Sequence, residues 1–364
     1  MSFPHEIKQD IKRVLVVGGG FGGVASALTF AKKHLPHAAI TLVSDKPHFE
    51  YKPMLYRVVT GRSPLEVCIP LKNIFAGKNI EFAVDVIDAV DLEKKIARGT
   101  SGTDYPFDYL VLALGSETAY FNIPGLEKFS FGFKSISEAM RLKAHLHALF
   151  SACKNPAENL EGKVCLLQVV VVGAGPSGVE LAGELAVFMK RLAKKYDVDA
   201  SLVSVDLIEA APRILPALPE RVARKVVGRL RRIGVNIFTN RAMTEEQATQ
   251  IKIRGMTMKT ETVVWASGVK PNKLYKKIDG LKLDETGRVV TDEYLRASGH
   301  PQVFAIGDGA VSIHGGMAQT ALHQGEAVAD NITRLILDKP PVVYKPRAVY
   351  HLLPVGPGWA AAPL

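Results

Sequence analysis

The stretch RVLVVGGGFGG at residues 13–23 decides the fold of the N-terminal part of the chain. Its apolar, β-branched run predicts a buried strand, and a helix is predicted after the glycines, at about residues 24–34. In such a turn Gly18 permits the tight bend, Gly20 lets backbone amides approach a ligand, and Gly23 lets the helix pack close to the sheet. A second strand at residues 40–43 completes a βαβ unit, which predicts a cradle for the pyrophosphate of a dinucleotide.

The same plan returns in the middle of the chain, where residues 169–178 are VVVVGAGPSG. The glycines of this copy are Gly173, Gly175 and Gly178, and a helical pattern through residue 196 and a strand at residues 204–208 follow them. Each copy can bind one nucleotide. The sequence therefore predicts an α/β fold with two Rossmann-like βαβ domains.

The residue at the end of the second strand bears on ribose binding. In the second copy this residue is Glu209, whose carboxylate favours a free 2′-hydroxyl and repels a 2′-phosphate, so NADH is predicted in preference to NADPH. Arg213 lies close enough in the sequence to weaken that preference. In the first copy Ser44 occupies the corresponding place and Asp45 follows it; Asp45 is predicted to bind ribose, the alternative being a solvated turn residue.

Three further apolar runs end in glycine. Gly115 and Gly268 close the runs at residues 109–115 and 262–268, and each is equally consistent with a ligand-facing strand end or an ordinary turn. The third run ends in Gly307 and Asp308, ahead of a helical stretch that starts at Ala318. A carboxylate in this place is suited to flavin ribityl hydroxyls, and an ordinary turn is again the alternative.

Composition limits the other classes of function. With 364 residues the chain is long enough for two domains, and its formal net charge of +10 suits anionic partners or simply a basic surface. No basic cluster interleaved with aromatic residues is present, which disfavours nucleic-acid binding. The three cysteines form no CxxC pair, so neither a disulfide framework nor a metal site is expected. The same cysteine usage predicts a reducing, cytoplasmic compartment.

Taken together, the motifs resemble the pyridine nucleotide disulfide oxidoreductase superfamily, whose flavoproteins carry two dinucleotide-binding domains. The similar stretches are GGGFGG at 18–23, LALG at 112–115, GAGPSGVELAGEL at 173–185, IEAAPRILP at 208–216, WASG at 265–268 and FAIGD at 304–308. The resemblance implies that FAD binds the first turn and the Gly307-Asp308 motif, and that NAD(P)H binds the second turn. It also implies an FAD domain at residues 1–135 and 285–340, split around an NAD(P)H domain at 136–284.

Within the superfamily the chain looks most like the type II NADH:quinone oxidoreductases. The resemblance rests on FEYKPMLYRVVTG at 49–61 and on AQTALHQG at 318–325. It implies that Gln319 lines a quinone pocket together with His323, which stands where the family has a second glutamine. Glu180 matches a position near the nicotinamide and the flavin. The alternatives are polar helix positions for Gln319 and His323 and a structural carboxylate for Glu180.

The absence of a cysteine pair near the first βαβ unit argues against a protein dithiol relay, so electrons are expected to leave FAD for another acceptor. A quinone is the first expectation. The alternatives are a ferredoxin- or rubredoxin-type partner, and a redox-silent nucleotide sensor. The resemblance also leaves open a homodimer and peripheral contact with the inner face of the cell membrane, and it makes residues 341–364 the start of a truncated or absent C-terminal region.

Overall fold

The computed structural model describes residues 11–153, 160–313 and 315–362. Its α-helices are α1 (Phe21–Lys33), α2 (Leu55–Val59), α3 (Leu71–Phe75), α4 (Leu126–Phe129), α5 (Ile136–Ala152), α6 (Leu160–Leu167), α7 (Pro176–Tyr196), α8 (Glu220–Ile233) and α9 (Ala318–Ile336). The strands are β1 (Lys12–Val17), β2 (Ala38–Ser44), β3 (His48–Glu50), β4 (Cys68–Pro70), β5 (Glu81–Val84), β6 (Ile87–Asp91), β7 (Ile96–Gly99), β8 (Asp104–Pro106), β9 (Tyr109–Leu112), β10 (Ser116–Thr118), β11 (Phe131–Gly132), β12 (Gln168–Val172), β13 (Ser204–Ile208), β14 (Val235–Phe238), β15 (Met243–Gln247), β16 (Gln250–Ile253), β17 (Met256–Lys259), β18 (Thr262–Trp265), β19 (Val269–Pro271), β20 (Val303–Ala305), β21 (Leu353–Pro354) and β22 (Ala360–Ala361).

The first of two compact units contains the described residues up to Phe49, Ile69–Glu117 and Lys270–Val349. Its main sheet has the order β20-β9-β1-β2-β5, and every neighbouring pair is parallel. The apolar residues 14–17 of β1 are at most 2% exposed. Such complete burial is typical of a central parallel strand that is covered on both faces.

Helix α9 packs along α1 within this unit. A Cβ atom on Gly325 would collide with the carbonyl oxygen of Gly22, so the two helices cross at a distance that only glycine permits. The Ser26 hydroxyl contacts the carbonyl oxygens of Gly22 (3.0 Å) and Gly325 (3.1 Å). Together with the pairing of β20 and β9, this crossing joins a late part of the chain to the N-terminal βαβ unit.

The second unit contains Glu50–Cys68, the described residues of Thr118–Val269, and the described residues from Tyr350 onward. Its parallel sheet has the order β11-β18-β12-β13-β14, and an antiparallel sheet of β15, β16 and β17 follows β14. The backbone at Val355–Gly356 passes directly over Gly183 in the middle of α7. Arg229 of α8 donates hydrogen bonds to the carbonyl oxygens of Val355 (3.1 Å) and Pro357 (2.9 Å), which fixes this segment on the unit.

The α/β fold class with two Rossmann-like sheets is confirmed, and the first unit is assembled from separated segments of the chain. The observed changes between units fall at 117/118 and 269/270, and residues 50–68 lie in the second unit. The boundaries predicted from the sequence were 135/136 and 284/285, with residues 50–68 in the first domain. Residues 50–68 belong to the second unit because α2 buries apolar side chains against α5 and α7. The second unit starts earlier than predicted because it includes β11, a two-residue strand without a sequence signal.

No helix in the described part of the chain combines the length and apolar character needed to cross a bilayer. Over residues 11–153, 160–313 and 315–362, no group of three or more His, Cys, Asp and Glu side chains is placed to hold a metal ion.

Candidate functional site

The first glycine turn joins β1 to α1 at the carboxyl edge of the first sheet. Gly18 has a φ of +117°, a conformation that favours glycine, and its amide donates to the carbonyl oxygen of Val43 (2.8 Å). A Cβ atom on Gly23 would collide with the carbonyl oxygen of Gly18, whereas one on Gly20 would meet no atom within 4 Å. No side chain caps α1 at Gly20, and the first turn of this helix supplies the positive field that an anion cradle requires.

The second turn repeats this geometry between β12 and α7. Gly173 has a φ of +104°, and its amide donates to the carbonyl oxygen of Ile208 (2.8 Å). A Cβ atom on Gly178 would collide with the Gly173 carbonyl oxygen, and one on Gly175 would again meet nothing within 4 Å. Both predicted turns therefore have the backbone geometry and the open space that a pyrophosphate needs.

The two turns differ at the end of the second strand. Glu209 directly follows β13, and its carboxylate accepts hydrogen bonds from the amides of Ala174 (2.7 Å) and Ala211 (2.9 Å). This carboxylate therefore lies at the second glycine turn, with lone pairs left for a ribose hydroxyl.

In the first unit the corresponding position belongs to Ser44, since Val43 accepts from Gly18 as Ile208 accepts from Gly173. Ser44 is only 3% exposed, and its hydroxyl lies where a Cβ atom on Gly19 would be. Asp45 is exposed at the next position. A ligand at the first turn would thus meet a carboxylate one residue later in the chain than a ligand at the second.

The ends of β9 and β20 add further groups at the edge of the first sheet. Gly115 has a φ of +68° and open space at its Cβ position, and Gly307 has the same φ. Asp308 accepts a hydrogen bond from the Ser116 hydroxyl (2.5 Å). Since a Cβ atom on Gly18 would collide with the carbonyl oxygen of Ala113, these strand ends adjoin the first turn. The structure thus brings the predicted residues of the first unit together at one edge.

Helix α9 holds the predicted quinone contacts. Gln319 and His323 are partly buried, and the Nδ1 atom of His323 has no hydrogen-bond partner within the described residues. The role of Gln324 was not predicted from the sequence. This fully buried side chain accepts from the Gly307 amide (2.8 Å) and donates to the Ser312 hydroxyl (3.0 Å), and so fixes the turn that carries Asp308.

Gly268 follows β18 at the edge of the second sheet. Its φ is +80°, but its Cβ position is occupied by the ring of Phe121, which is 63% exposed. The ring of Phe121 also packs edge-on against Trp265, with centroids 6.2 Å apart. The second unit therefore presents an aromatic side chain where the first unit is open at Gly115.

Glu180 lies in α7 shortly after the second turn and is partly buried. Burial raises the pKa of its carboxyl from the usual 4.5 to about 8. Glu180 therefore carries a proton at neutral pH and can donate a hydrogen bond. This carboxyl and the second glycine turn lie on the same helix, at its N-terminal end.

Similarities to known proteins agree with this geometry. The family described as pyridine nucleotide-disulphide oxidoreductase matches residues 12–325. A type II NADH:quinone oxidoreductase of Staphylococcus haemolyticus is 32% identical over 343 residues, which are 90% of this chain and 83% of that relative. One of Staphylococcus aureus is 31% identical with the same two coverages.

Solved structures show the same fold. The structure of NDH2 from Plasmodium falciparum in complex with NADH has a TM-score of 0.88 at 19% identity and covers 97% of this chain and 90% of its own. The sulfide:quinone oxidoreductase of Aquifex aeolicus has a TM-score of 0.77 at 21% identity, with coverages of 95% and 82%. The chain therefore belongs to the pyridine nucleotide-disulphide oxidoreductase family, among the members that are similar to type II NADH:quinone oxidoreductases.

Proposed function

We propose that this protein is an FAD-dependent enzyme that oxidises NADH and passes the electrons to a quinone. The observation that carries the proposal is the pair of glycine turns, each open at the carboxyl edge of its own parallel sheet. FAD, when bound, would supply the redox chemistry that couples oxidation of NADH to reduction of the quinone. The remaining tasks belong to side chains and backbone groups of this chain.

The first unit would hold FAD. The open space at Gly20 and the field of the α1 N-terminus suit the pyrophosphate. Asp308, held by Ser116, is placed to accept hydrogen bonds from ribityl hydroxyls, and Gly115 leaves room beside it. Asp45, exposed directly after β2, would accept hydrogen bonds from the ribose hydroxyls.

The second unit would hold NADH. The amides after Gly175 suit its pyrophosphate, and the carboxylate of Glu209 would accept hydrogen bonds from ribose hydroxyls and repel a 2′-phosphate. Gly268 would border the nucleotide from the neighbouring strand. NADH is therefore favoured over NADPH as the reductant.

Two sets of side chains would act near the reacting groups. Protonated Glu180 would donate a hydrogen bond to the nicotinamide amide and supply a proton for the reduction of the quinone to the quinol. Gln319 and His323, both partly buried on α9, would contact the carbonyl oxygens of the quinone. Such contacts act by orienting the ligands, because hydride transfer depends mainly on distance and alignment.

Purified protein with FAD, mixed with NADH and then with a soluble quinone, tests the proposal. We expect the yellow colour to bleach with NADH and to return with the quinone. Protein that bleaches but recovers only with an acidic iron–sulfur protein would favour the ferredoxin-type alternative, and protein that does not bleach would favour a nucleotide sensor. The names of the Staphylococcus relatives support the quinone.

Peripheral membrane contact at the cytoplasmic face and a homodimer are further parts of the proposal. Membrane contact follows from the acceptor, since quinones dissolve in the bilayer. Co-sedimentation with lipid vesicles tests the first part, and sedimentation velocity tests the second.

A further inference from the structure

Helix α8 of the second unit concentrates positive charge. Its 14 residues contain six arginine and lysine side chains and one glutamate, a net charge of +5 (six minus one), whereas the whole chain carries +10. Half of the excess positive charge of the protein therefore lies on one helix. None of these side chains is among the residues proposed to bind FAD, NADH or the quinone.

Most of the basic side chains occupy one face of α8. Successive residues of an α-helix are rotated by about 100°, since there are 3.6 residues per turn. Five of the six basic residues and one glycine fall within an arc of about 120° on this basis. All six positions are exposed, and we call them the basic stripe: Arg221, Arg224, Lys225, Gly228, Arg231 and Arg232. The opposite face packs on the unit through buried apolar side chains, namely Val222, Ala223, Val226 and Leu230.

Gly228 lies near the centre of the basic stripe. Glycine inside a helix is less stable than alanine, because its backbone loses more conformational freedom on folding. Packing does not require glycine here, since a Cβ atom would meet nothing within 4 Å. Its neighbours on the helix surface, three and four residues away in each direction, are all basic, namely Arg224, Lys225, Arg231 and Arg232. Four cations thus surround a gap without a side chain, which suits the approach of a phosphate group.

The single carboxylate of α8 neutralises the stripe only weakly. Glu220 lies 4.0 Å from Arg224, and the two side chains are 70% and 75% exposed. An exposed ion pair of this length contributes little to stability. Arg221 lies three residues before Arg224 and four before Lys225, so like charges repel one another along the helix. An anionic partner that lies across the stripe would offset this repulsion.

Apolar groups lie beside the stripe. Arg229, at its edge, donates to the carbonyl oxygen of Val355 (3.1 Å) and holds the C-terminal segment against α8. Leu352 of this segment is 69% exposed. It lies three residues before Val355, and so within roughly 11 Å of it. Arg231 borders a groove of about 420 Å³ that Phe238 of β14 also lines. Cations beside accessible apolar groups are typical of a surface that lies at a lipid headgroup layer.

We propose that the basic stripe binds the phosphate groups of anionic phospholipids and docks the second unit on a membrane surface. The inference rests on the proposed function, in which the acceptor dissolves in the bilayer, and it names the surface that makes the contact. Nucleic acid is the weaker choice, because no residue of the stripe offers an aromatic ring on which a base could stack. Each cation near an anionic surface strengthens binding about fivefold.

Co-sedimentation of the FAD-loaded full chain with lipid vesicles tests the proposal. One set of vesicles is phosphatidylcholine alone, and the other is phosphatidylcholine mixed with phosphatidylglycerol in a ratio of two to one. We expect binding to the mixed vesicles only, and its loss in high salt, where charges are screened. Neutralising three cations together, in Arg224→Gln/Lys225→Gln/Arg231→Gln, should weaken binding on the order of 100-fold, about fivefold for each charge.

The matched control removes the same charge from the first unit. Lys276, Lys277 and Lys282 are exposed there, and changing all three to glutamine lowers the net charge equally. We expect this variant to bind mixed vesicles like wild type.

Gly228→Glu keeps the test sharp if the triple stripe variant folds poorly. Its carboxylate would pair with the four surrounding cations and would replace a glycine inside a helix. The melting temperature should therefore rise while binding to mixed vesicles falls by about tenfold or more, two charges' worth of the stripe having been neutralised. A variant that is merely damaged would lose both.

The proposal is overturned if wild type ignores the mixed vesicles, or if both stripe variants bind them as wild type does. It is also overturned if the lysine control loses as much binding, because net charge alone would then explain the contact. Tighter binding of wild type to single-stranded RNA than to the vesicles would assign the stripe to nucleic acid instead.

A soluble quinone separates this inference from the proposed function. Without vesicles, every variant should oxidise NADH with the soluble quinone at the wild-type rate, since the stripe contacts no reacting group. Failure of wild type in that assay would overturn the proposed function. Vesicle binding is measured without NADH or quinone, so its outcome is independent of that failure.

Discussion

The two glycine turns have nearly the same backbone and different surroundings. In both turns the first glycine has a φ above +100°, and its carbonyl oxygen lies against the Cα atom of the third glycine. A Cβ atom on the second glycine would meet no atom within 4 Å. They differ at the strand end, where the second turn has Glu209 and the first has Ser44, and at the neighbouring strand, where Gly115 is open and Gly268 is covered by Phe121. The backbone geometry thus suits a pyrophosphate in both places, and the two turns differ in the side chains around them.

The largest expected effects come from the third glycines, because the obstacle at each is backbone. Gly23→Ala and Gly178→Ala would each place a methyl group against a carbonyl oxygen, at a cost of about 1–3 kcal/mol. We expect Gly23→Ala to be purified without FAD, and Gly178→Ala to keep FAD but to bind NADH roughly 10- to 100-fold more weakly. Flavin absorbance and a titration with NADH measure the two losses.

Gly20→Ala and Gly175→Ala are the matched controls. Their Cβ atoms meet nothing within 4 Å in the protein. Each should leave the melting temperature of the ligand-free protein unchanged while weakening only its own ligand, since the methyl group would occupy the space of the pyrophosphate. Loss of FAD from Gly178→Ala would break the assignment of one ligand to each turn.

The strand-end difference predicts the next largest effect. Glu209→Ser would give the second turn the residue of the first and remove the carboxylate that repels a 2′-phosphate. We expect the KM for NADH to rise roughly tenfold, the scale of one lost charge-assisted hydrogen bond. We also expect the preference for NADH over NADPH to fall. Steady-state kinetics with both nucleotides measure the change, and Asp45→Asn should leave the preference as it is.

Local patterns predicted both turns and the strands around them, because each depends on residues close together in the sequence. Glu180 was singled out only by the family resemblance. The contacts that complete the sites join distant residues. Gln324 has the same sequence appearance as any polar helix residue, yet it bonds to Gly307 in another element. Phe121 similarly reaches Gly268 from an irregular segment. Hydrophobic periodicity contains no information on such pairings, so neither was predicted.

Buried carboxyl groups of the two units respond to pH in opposite directions. Asp85 of the first unit accepts hydrogen bonds from Ser101 and Tyr105 among others, and the Ser101 hydroxyl is the largest cause of its lowered pKa. Glu246 of the second unit is 4% exposed, its Oε2 has no partner within the described residues, and burial raises its pKa to about 8. The first carboxyl stabilises its unit when ionised, whereas ionisation of the second destabilises its unit.

Glu246→Gln should therefore stabilise the protein in a defined pH range. Between the usual pKa of 4.5 and the folded value of about 8, the folded state binds more protons than the unfolded state, so the free energy of unfolding falls as pH rises. Glutamine removes that loss. We expect the melting temperature to rise by about 2–4 °C at pH 8 and to stay unchanged at pH 4. An equal gain at both pH values would contradict the raised pKa, and NADH oxidation should not change.

The smallest expected effect concerns the ring over Gly268. If NADH binds at the second turn, Phe121 must leave Gly268 or share its space, and leaving breaks the edge-on contact with Trp265. An aromatic pair of this kind contributes about 0.5–1.5 kcal/mol. Phe121→Ala removes that cost in advance, so the KM for NADH should fall by about two- to tenfold while FAD content stays constant. A rise in KM would instead mean that the ring stacks on the bound nucleotide. The difference between the covered Gly268 and the open Gly115 would then show that Phe121 helps to bind the substrate and does not obstruct it.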